Sequence, residues 1–157
     1  MVDAGKRADE LVARLETLLA ETGGRAAQLS KRPRVFFEEW DDPLISGIGW
    51  VSELIEIAGG VDIFADRSNR GAAKDRIVTP DEVIARDPDL IIGSWCGKKF
   101  RPERVMARPG FERIPAVKHQ GLYEIKSSLI LQPGPAALTD GVAEIQKIIE
   151  RWAKTLR

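Results

Sequence analysis

Three tryptophans, Trp40, Trp50 and Trp95, stand beside segment ends where a chain can present them to a ligand. An indole is large, flat and amphipathic, which suits stacking against a flat or greasy molecule. Paired acids lie close by, Glu38-Glu39 and Asp41-Asp42, together with the only cysteine, Cys96. Carboxylate pairs can do general acid–base work. Adjacent strand residues, however, point to opposite faces, so neither pair is a built-in dyad. Cys96 could act as a nucleophile, but no basic residue adjoins it and the single histidine is His119. A lone cysteine is more often a small, unreactive apolar residue. His119 lies in the polar turn KHQG, and a metal site needs several converging ligands. Arg67, Arg70, Lys74 and Arg76 could meet an anionic ligand group, although a charge run is more commonly a solvated face. No GxGxxG, P-loop, GxSxG or HExxH motif occurs. These residues suit capture of a ligand without covalent chemistry. The rival from another class is a small α/β enzyme using Cys96 or a rim carboxylate.

The elements that must position these residues begin with Arg34–Gly60, which reads strand, loop, helix. Val35, Phe36 and Phe37 form a β-branched and aromatic run of the kind found in buried strands. Asp41-Asp42-Pro43 stops it, because proline lacks an N–H and restricts the residue before it. Ser46–Gly49 reads as a glycine-rich loop. From Trp50 the apolar positions 50, 51, 54, 55 and 58 have helical spacing, and Gly59-Gly60 ends the helix. Leu90–Ile92 is a short continuous apolar run, as in a parallel strand covered on both faces. In an open parallel sheet the ligand crevice lies outside the carboxyl ends of the strands. Candidate ligand-contacting residues are therefore Trp40, Asp41 and Pro43, then Trp50, and then Trp95, Cys96 and Gly97.

Elsewhere the pattern is helical or punctuated by turns. Ala8, Leu11, Leu15, Leu18 and Leu19 predict an amphipathic helix from about Asp3 to Leu29, with Gly23-Gly24 as a point of breakage or kinking. Ile63–Ala65 suits a short strand or turn, and Asp66–Asp75 an exposed loop. Thr79-Pro80-Asp81-Glu82 predicts a capped helix start, with Thr79 as cap, Pro80 at the first position and Glu82 closing the capping box. Glu103–Arg108 predicts a helix, Gly121–Ile125 a short strand, and Ser127–Gln132 extended chain or loop. Leu138, Val142, Ile145, Ile149, Trp152 and Leu156 mark a long amphipathic helix whose stripe makes Trp152 a core residue.

Composition sets the outer bounds. The 157 residues suffice for one domain with a sizeable core. Lysine plus arginine equals aspartate plus glutamate at 24 each, so no global field points to nucleic acid. One cysteine excludes an internal disulfide and a multi-cysteine zinc site. No apolar run approaches the roughly 20 residues of a membrane span, and the N-terminus lacks the apolar core of a secretory signal.

The pieces VFFEEWDDPLISGIGWVSELIEIAGG, TPDEVIARDPDLIIGSWCG, ARPGFERIPAVKHQGLYEI and QPGPAALTDGVAEI together resemble the C-terminal lobe of ABC-transporter substrate-binding proteins of the cobalamin and iron-siderophore type. The resemblance runs from about Arg34 to the end, in the family's order and spacing. It implies an α/β fold: a single Rossmann-like lobe, with a mostly parallel sheet, helices on both faces, and part of a long linking helix in front. Residues 1–32 would be the end of that interlobe helix and 33–157 the lobe. The expected ligand is cobalamin or another corrinoid, with a ferric siderophore or haem as the alternative, and no cofactor is expected. The resemblance further implies an ABC permease as membrane partner, with Asp81 or Glu82 docking on it. It also implies an N-terminal lobe absent from this chain, and a periplasmic or extracellular location.

Overall fold

Strand β1 (Arg34–Asp41) is the centre on which the chain folds, in a computed structural model that describes residues 4–156. It follows helix α1 (Ala4–Ala26), whose 23 residues span about 34 Å. The helix continues through Gly23-Gly24 without a break. Asp3, the expected helix start, lies outside the described residues.

Beyond β1 come strand β2 (Leu44–Ser46), helix α2 (Gly49–Ile57), strand β3 (Val61–Asp62) and helix α3 (Ala65–Ser68). Next are helix α4 (Pro80–Arg86), strand β4 (Leu90–Gly93), helix α5 (Pro102–Met106) and helix α6 (Pro115–Lys118). Strand β5 (Leu122–Glu124), helix α7 (Ser127–Ile130) and helix α8 (Val142–Thr155) complete the lobe. A π-helical turn at Ala137–Gly141 leads into α8.

The sheet order is β2-β1-β4-β5. β1 pairs in parallel with β4, and β4 with β5. The other edge of β1 is shared, with β3 parallel along its first residues and β2 antiparallel along its last. The sheet is therefore mostly parallel, with one hairpin. That hairpin corrects the sequence reading, which left 42–49 as turn and loop. Backbone pairing of Leu44–Ser46 with the end of β1 makes it a strand. A bulge between Glu38 and Trp40 lets β1 change register beside it.

Alternate residues of β1 and β4 feed two cores, as the two-residue strand period requires. Val35, Phe37, Leu90 and Ile92 face α2 and α8, where Val51, Leu54, Ile55, Ile145 and Ile149 are buried. Phe36 and Ile91 face the other layer, with Phe64, Val83, Val105 and Phe111. Helices thus cover both faces. Gln146 of α8 ties α1 down, since its Nε2 donates to the Thr22 carbonyl at 2.9 Å and its Oε1 accepts from Arg25 Nε at 2.8 Å. Trp152 packs against the first core half-buried, while Leu156, the last residue of the predicted stripe, is exposed.

One local reading changes, and a second, the short strand or turn at Ile63–Ala65, is decided as a turn. Ser127–Ile130 is a short helix, not extended chain, and buries Ile130 completely. Ile63 and Phe64 form a buried turn after β3. Gly59 has φ of +95° and ends α2, a left-handed position that glycine occupies without a Cβ clash. Among the described residues no helix is long and apolar enough to cross a membrane.

Candidate functional site: the rim of the parallel sheet

Because β1, β4 and β5 are parallel neighbours, their carboxyl ends fall on one rim. Glu38 stands opposite Gly93, and Gly93 opposite Glu124. The rim receives Trp40 and Asp41 from the last residues of β1, and Ser94–Lys99 and Ile125–Ser128 from the chain leaving β4 and β5.

The first feature of this rim is a buried acid. The Glu38 side chain is wholly shielded, in β1 directly after the apolar run Val35–Phe37. Arg108 meets it with two N–H groups at 2.6 and 2.8 Å, and Trp95 Nε1 donates to it at 2.9 Å. Such a forked guanidinium–carboxylate pair is the strong, directional kind. Trp95 is thus only 3% exposed, its ring against Phe100 edge-to-face at 5.0 Å. Phe100 in turn lies on Gly93, where a Cβ would sit 1.9 Å from the ring.

Asp41 forms the second feature. Its side chain is 2% exposed and contacts Lys98 and Arg104, the latter at 3.1 Å. These contacts lack hydrogen-bonding direction, so both carboxylate oxygens are buried without a directed donor. The Lys98 ammonium also lies 4.1 Å from the centre of the Trp40 ring and 5.3 Å from that of Trp95. A cation over an indole face is attracted by the ring quadrupole. Trp40 is half-buried, and its Nε1 donates to the Asp42 carbonyl at 2.9 Å. Pro43, Cys96 and Gly97 are exposed, and Gly97 adopts φ of +74°.

The structure brings Trp40, Asp41, Trp95, Cys96 and Gly97 to this rim but sends Trp50 elsewhere. Trp50 packs with the α2–α8 layer, on the opposite face of the sheet from Trp40 and Trp95. Its Nε1 donates to the Ile130 carbonyl at 2.8 Å. It lines a separate apolar cavity of about 410 Å³ with Leu15, Pro133, Pro135 and Leu138. The expectation of three indoles on one surface is therefore corrected. The β2 hairpin carries the chain back along β1 before α2 begins, so Trp50 is not held beside Trp40. Trp95 is also sealed by Glu38 and Phe100 and offers little free face.

The rim holds a cavity of about 380 Å³, lined by Trp95, Lys98, Lys99, Lys126, Ser127 and Ser128, among others. Glu124 borders it as well, and its Oε1 accepts from the Phe100 N–H at 3.1 Å. Of the stretch after β4, the sequence singled out Trp95, Cys96 and Gly97 and gave Lys98 and Lys99 no role, and it missed Lys126. β5 and α7 bring Lys126 back to the rim, and no local pattern announces that.

The predicted charge run also changes. Arg76 is buried at 2% exposure, holding Glu39 at 2.7 and 3.1 Å and the Ser46 carbonyl. Arg67 pairs with Glu82. Arg70 donates to the Asp75 carbonyl at 3.3 Å, so three of the four cations bind protein groups and are not simply solvated. The signal that could have found this is the adjacent pair Glu38-Glu39 directly after three apolar residues, since each acid needs a cation once the strand is buried.

The α4 start has the predicted capping box, with Thr79 Oγ1 accepting from the Glu82 N–H at 3.2 Å and the Thr79 N–H donating to Glu82 at 2.9 Å. The Thr79 N–H, and then Arg67, hold the Glu82 carboxyl below its usual range against a smaller effect of burial. Asp81 is exposed, and its carboxylate has no hydrogen-bond or ion-pair partner among the described residues. Cys96 is free and exposed, and His119 is exposed in its turn. No cluster of three or more histidine, cysteine or acidic residues suited to a metal occurs among the described residues.

The family model described as periplasmic binding protein matches residues 1–129. An uncharacterized ABC transporter substrate-binding lipoprotein of Bacillus subtilis, YvrC, is 28% identical over 93% of this chain and 45% of its own length. A vitamin B12-binding protein of Vibrio parahaemolyticus is 25% identical over 69% of this chain and 38% of its own. The chain therefore spans less than half the length of these relatives. Among solved structures, a possible iron-binding periplasmic solute-binding protein of Staphylococcus epidermidis superposes with a TM-score of 0.77 at 23% identity. That match covers 92% of this chain and 55% of the other.

Proposed function

The chain belongs to the periplasmic binding protein family, and from that premise we propose that it is the C-terminal lobe of the substrate-binding component of an ABC importer. It forms one wall of a ligand cleft and does no covalent chemistry. The carrying observation is the rim itself, where three parallel strand ends present a concave surface of aromatic and charged residues. An open α/β sheet binds ligands at that edge. The second wall would come from the part of the relatives' length that this chain does not span. The location that goes with this role is periplasmic or extracellular, consistent with a relative named a lipoprotein.

The ligand we propose is a corrinoid. The vitamin B12-binding relative supports it, and the half-buried Trp40 offers a flat partner at the rim. A ferric ligand is the second reading, favoured by the structural likeness to a possible iron-binding protein. Permease docking falls to Asp81. It is the free carboxylate of the α4 start, whereas Glu82 is engaged by Thr79 and Arg67.

The test is titration of a two-lobed version with cyanocobalamin and, separately, with a ferric hydroxamate, followed by tryptophan emission and calorimetry. Saturable corrinoid binding, weakened by Trp40→Ala and far weaker for this chain alone, is the expected result. A single open face cannot bury most of a ligand. Equal affinity of the isolated chain would sink the cleft reading, and exclusive binding of the ferric ligand would replace the corrinoid.

A further inference from the structure

We infer that the cavity between the β4 and β5 ends is an oxyanion subsite, which anchors a carboxylate or phosphate group carried by the ligand. This rests on the reading of the rim as one wall of a ligand cleft, and it adds the charge of the ligand to that reading.

Three lysines border the cavity, against one glutamate. Lys98 is already committed to Asp41, and Glu124 spends one oxygen on the Phe100 N–H. The ammonium groups of Lys99 and Lys126 have no hydrogen-bond or ion-pair partner among the described residues. They come from different strand ends, 27 positions apart in the chain, yet line one concave space. Both lysines line the cavity, and an anion placed there would be attracted by both charges. Ser127 and Ser128 add hydroxyl donors at the same wall. Lysine suits this task as a flexible point charge, and it does not select one planar anion over another.

The supporting wall is rigid. Glu38, Arg108 and Phe100 hold Trp95 at the cavity floor. The exposed residues are free to adapt, while the surface beneath them is fixed. A neutral planar ligand would leave both ammonium groups unpaired, so an anionic substituent is the feature this wall selects.

The measurement uses citrate and pyrophosphate as probes on this chain at constant ionic strength, followed by backbone amide shifts. Saturable shifts are expected at Gly97, Lys99 and Lys126–Ser128, with either probe or both. In Lys99→Ala/Lys126→Ala the apparent Kd should rise about ten-fold, equal to ~1.4 kcal/mol. Lys118→Ala, an exposed lysine on α6, should leave it unchanged. A response to pyrophosphate alone narrows the subsite to phosphate, and a response to citrate alone narrows it to carboxylates. An unchanged Kd in the double variant, or shifts spread evenly over surface lysines, overturns the inference. That outcome is separate from the cleft reading, which stands or falls on corrinoid titration of the two-lobed protein.

Discussion

Replacing Arg108 with alanine isolates the energetic centre of the rim. The Glu38 carboxylate is fully shielded and receives three donors, two of them from Arg108. Arg108→Ala removes both at once and leaves a buried charge with one indole N–H. Breaking a buried ion pair from one side costs about 3–5 kcal/mol, because the remaining charge keeps its desolvation penalty. Arg108 itself is 15% exposed, so water can reach part of the space it vacates. The lower end, about 3 kcal/mol, is therefore expected. For a chain of this size 1 kcal/mol moves Tm by roughly 2–4 °C, so the drop should be about 6–12 °C. Urea unfolding followed by tryptophan emission measures it directly, and Trp95, which loses the partner that fixes Glu38, should report a changed native spectrum. A double variant, Glu38→Leu/Arg108→Leu, should recover most of the loss, since removing both charges leaves none unpaired. The exposed pair of Lys147 and Glu144 provides the contrast, and Lys147→Ala should cost no more than about 0.5 kcal/mol. If Arg108→Ala costs under about 1 kcal/mol, or the double variant is no better than the single, the rim is not held by this pair.

Three further outcomes are expected. Asp81→Lys should reduce uptake in cells while leaving ligand affinity unchanged, because it reverses an exposed charge that no fold contact uses; uptake at the wild-type level would remove Asp81 from the docking surface. Gly93→Ala should destabilise by about 1–3 kcal/mol in thermal unfolding, since its Cβ would meet the Phe100 ring; a neutral result would mean that Phe100 moves aside freely. Asp62 is buried, and that burial pushes its carboxyl above the ordinary value, with the Ser52 hydroxyl and the Phe64 N–H opposing it more weakly. A raised folded-state value means that the contribution of Asp62 to stability is full below the unfolded value and is lost as pH rises through the folded one. Asp62→Asn should therefore gain on the wild type in urea unfolding as pH rises above the ordinary aspartate range. A gap independent of pH would contradict this.

The sequence alone determined the parts of the molecule that depend on neighbours in the chain. The β1 run Val35–Phe37, the helical spacing from Trp50, the Gly59-Gly60 stop and the Thr79–Glu82 capping box are all present as read. Periodicity and capping act within a few residues, so the chain states them openly. The parallel sheet and its two helical layers followed from the alternation of short apolar strands with amphipathic helices. Tertiary structure decided what those elements bring together. Glu38 and Arg108 are 70 positions apart, as the pair that seals Trp95. Arg76 looked like one cation in a solvated run, yet the β2 hairpin buries it against Glu39 and Ser46. Trp50 has the spacing of a rim residue, but the same hairpin returns the chain along β1 and places the indole across the sheet. A side chain's spacing tells which face of its own element it occupies. Which charges meet it there depends on strand order and on where each loop re-enters, and those are settled only when the distant apolar faces close over one another.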